Sequence, residues 1–341
     1  MVTSQGWTWQ ESAQSTRVLN FAPSECIWEC KSEVISECGF KLRENPSLGL
    51  AGKFLDVENR PLKRWQELVQ SYSARELTKY TDVLPAISGL AQRVQQITGF
   101  EYYAGIWGEE MATGLLWEVA RDFTEQRASV PVEYTAPSWS WASVQGRVRT
   151  GDTDMGSSSK HAGYRGPEGP IDVDTSFAAL TPAITIGNVE CTVPLYDQNE
   201  FGKVTDGSIE LIGRLISVTL TWNYKDRTRR TYMLEHPGKP GNWLRFSADT
   251  ELGMIRVRQG QSWLSSARRT NSTSGQPFEV PVECLLIAKG PGARPGDVTL
   301  DGIVLGRSQT NWNQRKRIGF FSFSDASWFA GAAYDQKVTI V

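Results

Sequence analysis

The chain is short of the residues that do chemistry. Of its 341 residues only two are histidine, His161 and His236. Neither stands in a pattern with a Ser or Cys nucleophile, and no Gly-x-Ser-x-Gly elbow occurs. P-loop, dinucleotide and zinc-protease motifs are missing. The stretch Gly290-Pro291-Gly292-Ala293-Arg294-Pro295-Gly296 is glycine-rich, but no helix pattern follows it and proline removes donors that a phosphate needs, so it reads as a turn. The acid pair Glu109-Glu110 is adjacent on a predicted helix and does not converge on one substrate. The sequence points to no catalytic centre and no cofactor.

Cysteine is scarce too. Cys26, Cys30, Cys38, Cys191 and Cys284 are odd in number and widely spread, which argues for free thiols in a reducing compartment. Cys26 and Cys30 have metal-like spacing, but zinc sites are built from two close pairs and no second Cys or His pair follows, so no metal is expected. No apolar run approaches the roughly 18 residues that a membrane helix needs, and Met1-Val2-Thr3-Ser4-Gln5 lacks the order of a secretory signal. The expectation is a cytoplasmic protein without a membrane partner. Charge is nearly balanced at −2 overall, with −5 in residues 1–146 and +3 in the rest. That is too even for a nucleic-acid footprint, so no nucleic-acid partner is expected.

What the chain does have is tryptophan, 13 in all, a means of stabilising irregular, loop-rich packing. In the N-terminal half, a short helix is predicted over 9–14 and a strand over 17–21 with no visible partner. Pro61 opens a helix whose stripe is Leu62, Trp65, Leu68, Val69 and Tyr72, with proline well placed in the first turn. A second helix reads from Asp82 as N-cap to Gly99 as stop, and a third over 109–122. Together they form a small helical layer packed on something flat.

The C-terminal half differs. Residues 147–182 read as a linker by composition. Strands follow over 183–193, 208–222, 231–234, 243–246, 282–288, 302–305, 317–323 and 337–341. In the long strand the alternation changes phase at Leu215-Ile216, which predicts a β-bulge or a break. Residues 265–277 read as a mobile loop, and Arg315-Lys316-Arg317 as a solvated strand edge. The fold class is therefore α+β, a small helical layer on a largely antiparallel β C-terminal half, sandwich or open barrel.

Several blocks carry more than periodicity. Gly6-Trp7-Thr8-Trp9-Gln10-Glu11 stands near the start, and Glu25-Cys26-Ile27-Trp28-Glu29-Cys30 follows. Next come Tyr72-Ser73-Ala74-Arg75-Glu76-Leu77-Thr78, Tyr103-Ala104-Gly105-Ile106-Trp107 and Ala136-Pro137-Ser138-Trp139-Ser140-Trp141-Ala142-Ser143. In that order they resemble the end of the HET domain of fungal heterokaryon-incompatibility proteins and the region that follows it.

The resemblance implies that residues 1–60 are a remnant of the HET domain's C-terminal end, most of that domain being absent. Residues 61–146 would be the helical region and 183–341 a β-rich domain. It implies a link to vegetative incompatibility and regulated cell death, with a protein partner, this chain serving as a non-catalytic scaffold or regulatory portion. The alternatives are a TIR-like NAD-cleaving effector whose catalytic core lies upstream, and a ligand-binding β module.

Candidate interaction or structural residues are Trp7, Gln10, Glu11, Arg75, Trp107, Trp139 and Trp141. Arg75 is either a functional cation or a helix-end cap paired with an acid such as Asp82. If 139–141 is an extended strand, both indoles face one side. They would then form either an aromatic platform for a ligand or, the simpler reading, a wedge between helical layer and sheet.

Overall fold

The computed structural model describes residues 11, 15, 17–21, 24–30, 33–40, 61–120, 128–150, 180–194, 199–223, 231–250, 252–256, 262–266, 278–291, 297–307 and 313–341. The class is α+β, with three α-helices among the described residues and a large, mostly antiparallel sheet. None of these helices is long and apolar enough to cross a membrane.

The strand expected to stand alone has partners. Strands β1 (Arg17–Phe21), β2 (Cys26–Cys30) and β3 (Val34–Ser36) form an antiparallel sheet in that order. Leu19 lies opposite Trp28, and Trp28 opposite Ile35. The partners are the next residues along the chain, and their mixed Cys, Trp and Glu composition hid the pairing. The helix predicted over 9–14 lies outside the described residues, apart from Glu11.

Helix α1 (Pro61–Ser73) buries Trp65, Leu68, Val69 and Tyr72 of the predicted stripe, together with Gln66, while Leu62 is half-buried. Helix α2 begins later than predicted, at Ser88–Thr98, after 3₁₀ turns at Tyr80–Asp82 and Pro85–Ile87. Its end is as predicted: Gly99 takes φ +73° and its N–H donates to Gln95 O (2.6 Å).

The third predicted helix is mostly not one. Strands β4 (Tyr102–Tyr103) and β5 (Ile106–Trp107) make a hairpin, followed by a 3₁₀ turn at Gly108–Glu110 and a single helical turn, α3 (Met111–Gly114). The chain then extends into β6 (Glu118–Val119), which pairs with β7 (Val148–Arg149). Gly114 is a weak helix former, and Arg317, rather than later helical N–H groups, binds the carbonyls of Leu115 and Trp117.

β7 also corrects the linker's start at 147. Thr150 is still anchored, its Oγ1 donating to Gln66 O (3.0 Å) and its carbonyl accepting from Gln70 Nε2 (2.7 Å). Residues 151–179 lie outside the described set.

The β half contains β8 (Thr181–Pro182), β9 (Ile184–Thr192), β10 (Asp206–Asn223), β11 (Thr231–Glu235), β12 (Trp243–Arg245) and β13 (Ser247–Ala248). It continues with β14 (Leu252–Arg256), β15 (Ser262–Ser266), β16 (Phe278–Pro291), β17 (Val298–Arg307), β18 (Gln314–Phe323) and β19 (Ala333–Ile340). The β14–β15 hairpin was not foreseen, and Ser265 and Ser266 belong to it rather than to the predicted loop. The rest of that loop, and 292–296 of the predicted turn, lie outside the described residues.

Pairings run from β10 to β16, β17, β18, β19 and back to β10, so these five strands close a ring instead of an open barrel. All are antiparallel except β18 with β19, the one parallel step that an odd-numbered ring requires.

Strand β10 makes the closure possible. Its first half pairs with β9 and β19, its second with β11 and β16. Its register against β19 shifts between Gly213 and Leu215, next to the predicted phase change. Before the shift, Ile209 and Leu211 belong to one apolar core; after it, Ile216, Val218 and Leu220 belong to a second.

The first core joins α1, α2 and the tryptophans to Leu285, Ile287, Ile303, Phe320 and Val338 of the ring. Regions 61–146 and 183–341 therefore share one core, the helical layer packing on the β half as the fold class expects. The second core takes the ring's other face and packs on Trp328 and Phe329 of a 3₁₀ turn, Ala326–Phe329.

Candidate functional site

Three of the sequence blocks meet at a two-residue turn. Ala104 and Gly105 link β4 to β5 with φ of +45° and +97°, the left-handed pair that tight hairpins need. Gly105 has a further reason to be glycine, because a Cβ there would sit 2.5 Å from Trp141 Nε1. The carbonyls of the turn point inward and are taken by side chains from far along the chain. Gly105 O accepts from Trp65 Nε1 and from Trp141 Nε1, each at 3.0 Å. Ala104 O accepts from Ser140 Oγ (2.5 Å), which in turn accepts from Ala142 N (3.1 Å) and caps the 3₁₀ turn Trp141–Ser143.

The Trp139–Trp141 segment is therefore not an extended strand, and its indoles do not make an exposed platform. Pro137 opens a turn closed by Ser140 N donating to Pro137 O (2.9 Å). Trp139 is 0% exposed and Trp141 2%. Trp139 O accepts from Trp117 Nε1 (2.9 Å), and Trp141 meets Tyr72 edge-on at 6.2 Å. The wedge reading holds in a turn rather than a strand. Ser138 ties this segment to the ring: its N–H donates to Val341 O (3.1 Å), and its Oγ accepts from Arg317 N (3.0 Å).

Arg317 makes the second joint. It was expected on a solvated edge, yet its side chain is 0% exposed. β18 lies between β17 and β19 and is no edge, and position 317 faces the helical layer. The guanidinium pairs twice with Asp249, Nε to Oδ2 at 3.0 Å and Nη2 to Oδ1 at 3.1 Å. It also donates to Leu115 O (2.5 Å) and Trp117 O, and its Cζ stands 3.5 Å from the Trp117 ring centroid. Burial pushes the Asp249 carboxyl above its ordinary range while Arg317 pulls it down; the net direction is up. Arg315, by contrast, pairs with Glu283 (2.9 Å) at the partly exposed end of the strand.

A small cleft, enclosing about 20 Å³, opens beside the turn, lined by Leu62, Trp65 and Gln66 of α1 and by Trp107, Glu110 and Trp141. Its walls are mostly apolar, but three polar groups on it stand out. Gln66 Oε1 and Trp107 Nε1 are buried without hydrogen-bond partners. Glu110 is half-buried, and burial raises its carboxyl above the ordinary 4.5. It forms no hydrogen bond or ion pair with any described residue. Its neighbour Glu109 turns away and accepts from Glu101 N (3.2 Å).

Of the residues marked in the sequence, Trp107 and Trp141 line this cleft and Trp139 lies behind it in the same core. Arg75 does not join them. It follows the last turn of α1, its N–H donating to Tyr72 O (2.8 Å), and burial lowers its pKa. Trp7 and Gln10 lie outside the described residues. Glu11 is exposed, and its carbonyl accepts from Ser15 N and Oγ.

Asp249, Arg317, Gln66 and Glu110 carried no sequence signal as a group, being 68 residues apart in one pair and 44 in the other. Among the described residues no three His, Cys, Asp or Glu side chains gather as a metal site, and none of the five cysteines is in a disulfide. Compared with family models, curated proteins and solved structures, the chain matches none.

Proposed function

We propose that the chain is the helical and barrel portion of a HET-like protein, acting without catalysis as a cytoplasmic scaffold or regulatory body in vegetative incompatibility and its cell death. One observation carries most weight. Trp65 of α1, the Ala104-Gly105 turn of the Tyr103–Trp107 block, and Ser140 and Trp141 of the Ala136–Ser143 block lie together around the Ala104 and Gly105 carbonyls, where they serve packing. Such residues hold a shape for another protein to read, and the effector chemistry and the partner lie outside this portion.

The test is induced expression in a filamentous fungus, scoring cell death after fusion of like and unlike strains and assaying cellular NAD. The proposal expects altered death in unlike pairings with NAD unchanged. No effect on either pairing contradicts the link to incompatibility, and a fall in NAD contradicts the non-catalytic role.

A further inference from the structure

We propose that the contact between the β11–β12 turn and the 3₁₀ turn Ala326–Phe329 is an acid-sensitive clasp, closed by neutral His236 and opened when its ring takes up a proton. The device does not depend on the scaffold reading. His236 follows β11 in the stretch His236-Pro237-Gly238-Lys239, and it is 6% exposed. Both ring nitrogens are engaged. Nδ1 accepts from Gly238 N (3.0 Å), and Nε2 lies 2.9 Å from Trp328 O. A carbonyl can only accept, so Nε2 carries the hydrogen, and Nδ1, occupied by an N–H, carries none. The contacts fix one tautomer of the neutral ring.

The imidazolium does not fit this arrangement. With both nitrogens protonated, Nδ1–H would face the Gly238 N–H, donor against donor. Either the ring turns and gives up Trp328 O, or the Gly238 amide leaves and takes its turn with it. The same turn grips at a second point, where Lys239 Nζ donates to Ser327 O (3.5 Å) and Oγ. Other charged side chains at the contact are Glu235, which accepts from Gly241 N (3.1 Å), Asp325, and Arg214 of β10, which donates to Phe329 O (2.5 Å). Hydrogen bonds from Ser327, and then the charges of Lys239 and His236, hold the exposed Asp325 carboxyl below its ordinary range. Asp325 therefore stays charged where histidine titrates, and it favours a ring that has turned out.

The clasp holds Trp328 and Phe329, both buried, against the second core. Trp328 also meets the His236 ring edge-on at 5.2 Å. Opening in acid frees this aromatic pair on the ring face away from the helical layer.

The test uses the whole chain, labelled with ¹⁵N, from about pH 7.5 to about pH 5.5, a span in which histidine ordinarily titrates. At the upper end, a coupling between Gly238 N and His236 Nδ1 should be visible across their hydrogen bond; in acid it should vanish. Exchange of Trp328 Nε1–H, corrected for the intrinsic effect of pH, should then speed about tenfold, the worth of one hydrogen bond. Trp117 Nε1–H, which donates to Trp139 O in the first core, should keep its protection. His236→Gln, which retains a donor for Trp328 O but cannot titrate, should lose the Trp328 response. His161→Gln, removing the chain's other histidine, should leave it unchanged.

Four outcomes overturn the proposal. The coupling is absent at the upper pH or persists in acid. Trp328 stays protected after the coupling is lost, so the charge is accommodated without opening. Trp117 loses protection equally, which marks general unfolding. Or His236→Gln responds to acid as the parent does.

Discussion

Trp65 and Trp141, 76 positions apart, donate their indole N–H groups to the same oxygen, the Gly105 carbonyl, each at 3.0 Å. One indole comes from α1 and the other from the turn that leans on the ring, so a single carbonyl fixes both relative to the β4–β5 hairpin. The shared acceptor sets the energetics of the whole joint.

Because the acceptor is shared, removing the donors should not be additive. Trp65→Phe or Trp141→Phe alone leaves Gly105 O with one donor, at an expected cost of about 1–2 kcal/mol from the hydrogen bond and lost packing. The double variant leaves a buried carbonyl without a donor, which adds about 1–3 kcal/mol beyond the sum. Urea denaturation of the four proteins measures the coupling.

Gly105→Ala meets two obstacles at once. The backbone stands at φ +97°, and the new methyl would press on Trp141 Nε1. Left-handed strain and overpacking together predict a loss of about 3 kcal/mol. Gly99→Ala, with φ +73° but nothing within 4 Å of its Cβ, should lose only about 1 kcal/mol. Comparing their denaturation midpoints separates strain from crowding.

Arg317 can be removed only with its partner. Arg317→Met leaves Asp249 buried opposite an apolar side chain and frees the carbonyls of Leu115 and Trp117, so it should cost about 3–5 kcal/mol. Asp249→Asn in the same chain should recover part of that, because no charge is then left alone. Thermal melts of the single and double variants check the order.

Glu110 gives a pH signature. Its pKa is raised in the folded state from an ordinary 4.5, so the folded protein holds the proton more tightly than the unfolded chain. Its contribution to stability therefore falls as pH rises from 4.5 through the folded value, and stays low above that. Glu110→Gln should be more stable than the parent at pH 7, by less than about 1 kcal/mol because the group is only half-buried. It should lose that advantage below pH 4.5. Chemical denaturation across this range supplies the comparison.

The sequence disclosed local features better than joints. Helix α1, the Gly99 stop and the bulge near Leu215 were legible because each depends on a few neighbouring residues: an apolar stripe, a residue free to take positive φ, and a change of alternation. The helix expected over 109–122 failed because a distant arginine binds the carbonyls of Leu115 and Trp117. Nothing near those residues announces Arg317. The lone-strand expectation for Arg17–Phe21 failed for the opposite reason, since its partner was adjacent but not apolar enough to read as a strand. Trp139 and Trp141 were rightly expected as a wedge, yet their turn depends on Ser140 reaching the Ala104 carbonyl, a contact across 36 residues.

The helical layer and the ring of strands are one structural body, joined at Gly105 and Arg317. Native-state hydrogen exchange of the whole chain tests this most directly. In a single body the slowest amides of α1 and α2 and those of β16, β17 and β18 open with the same free energy and the same denaturant dependence. If the amides of α1 and α2 exchange through a separate opening at distinctly lower free energy while the strands stay protected, the two are independent bodies and the account is wrong.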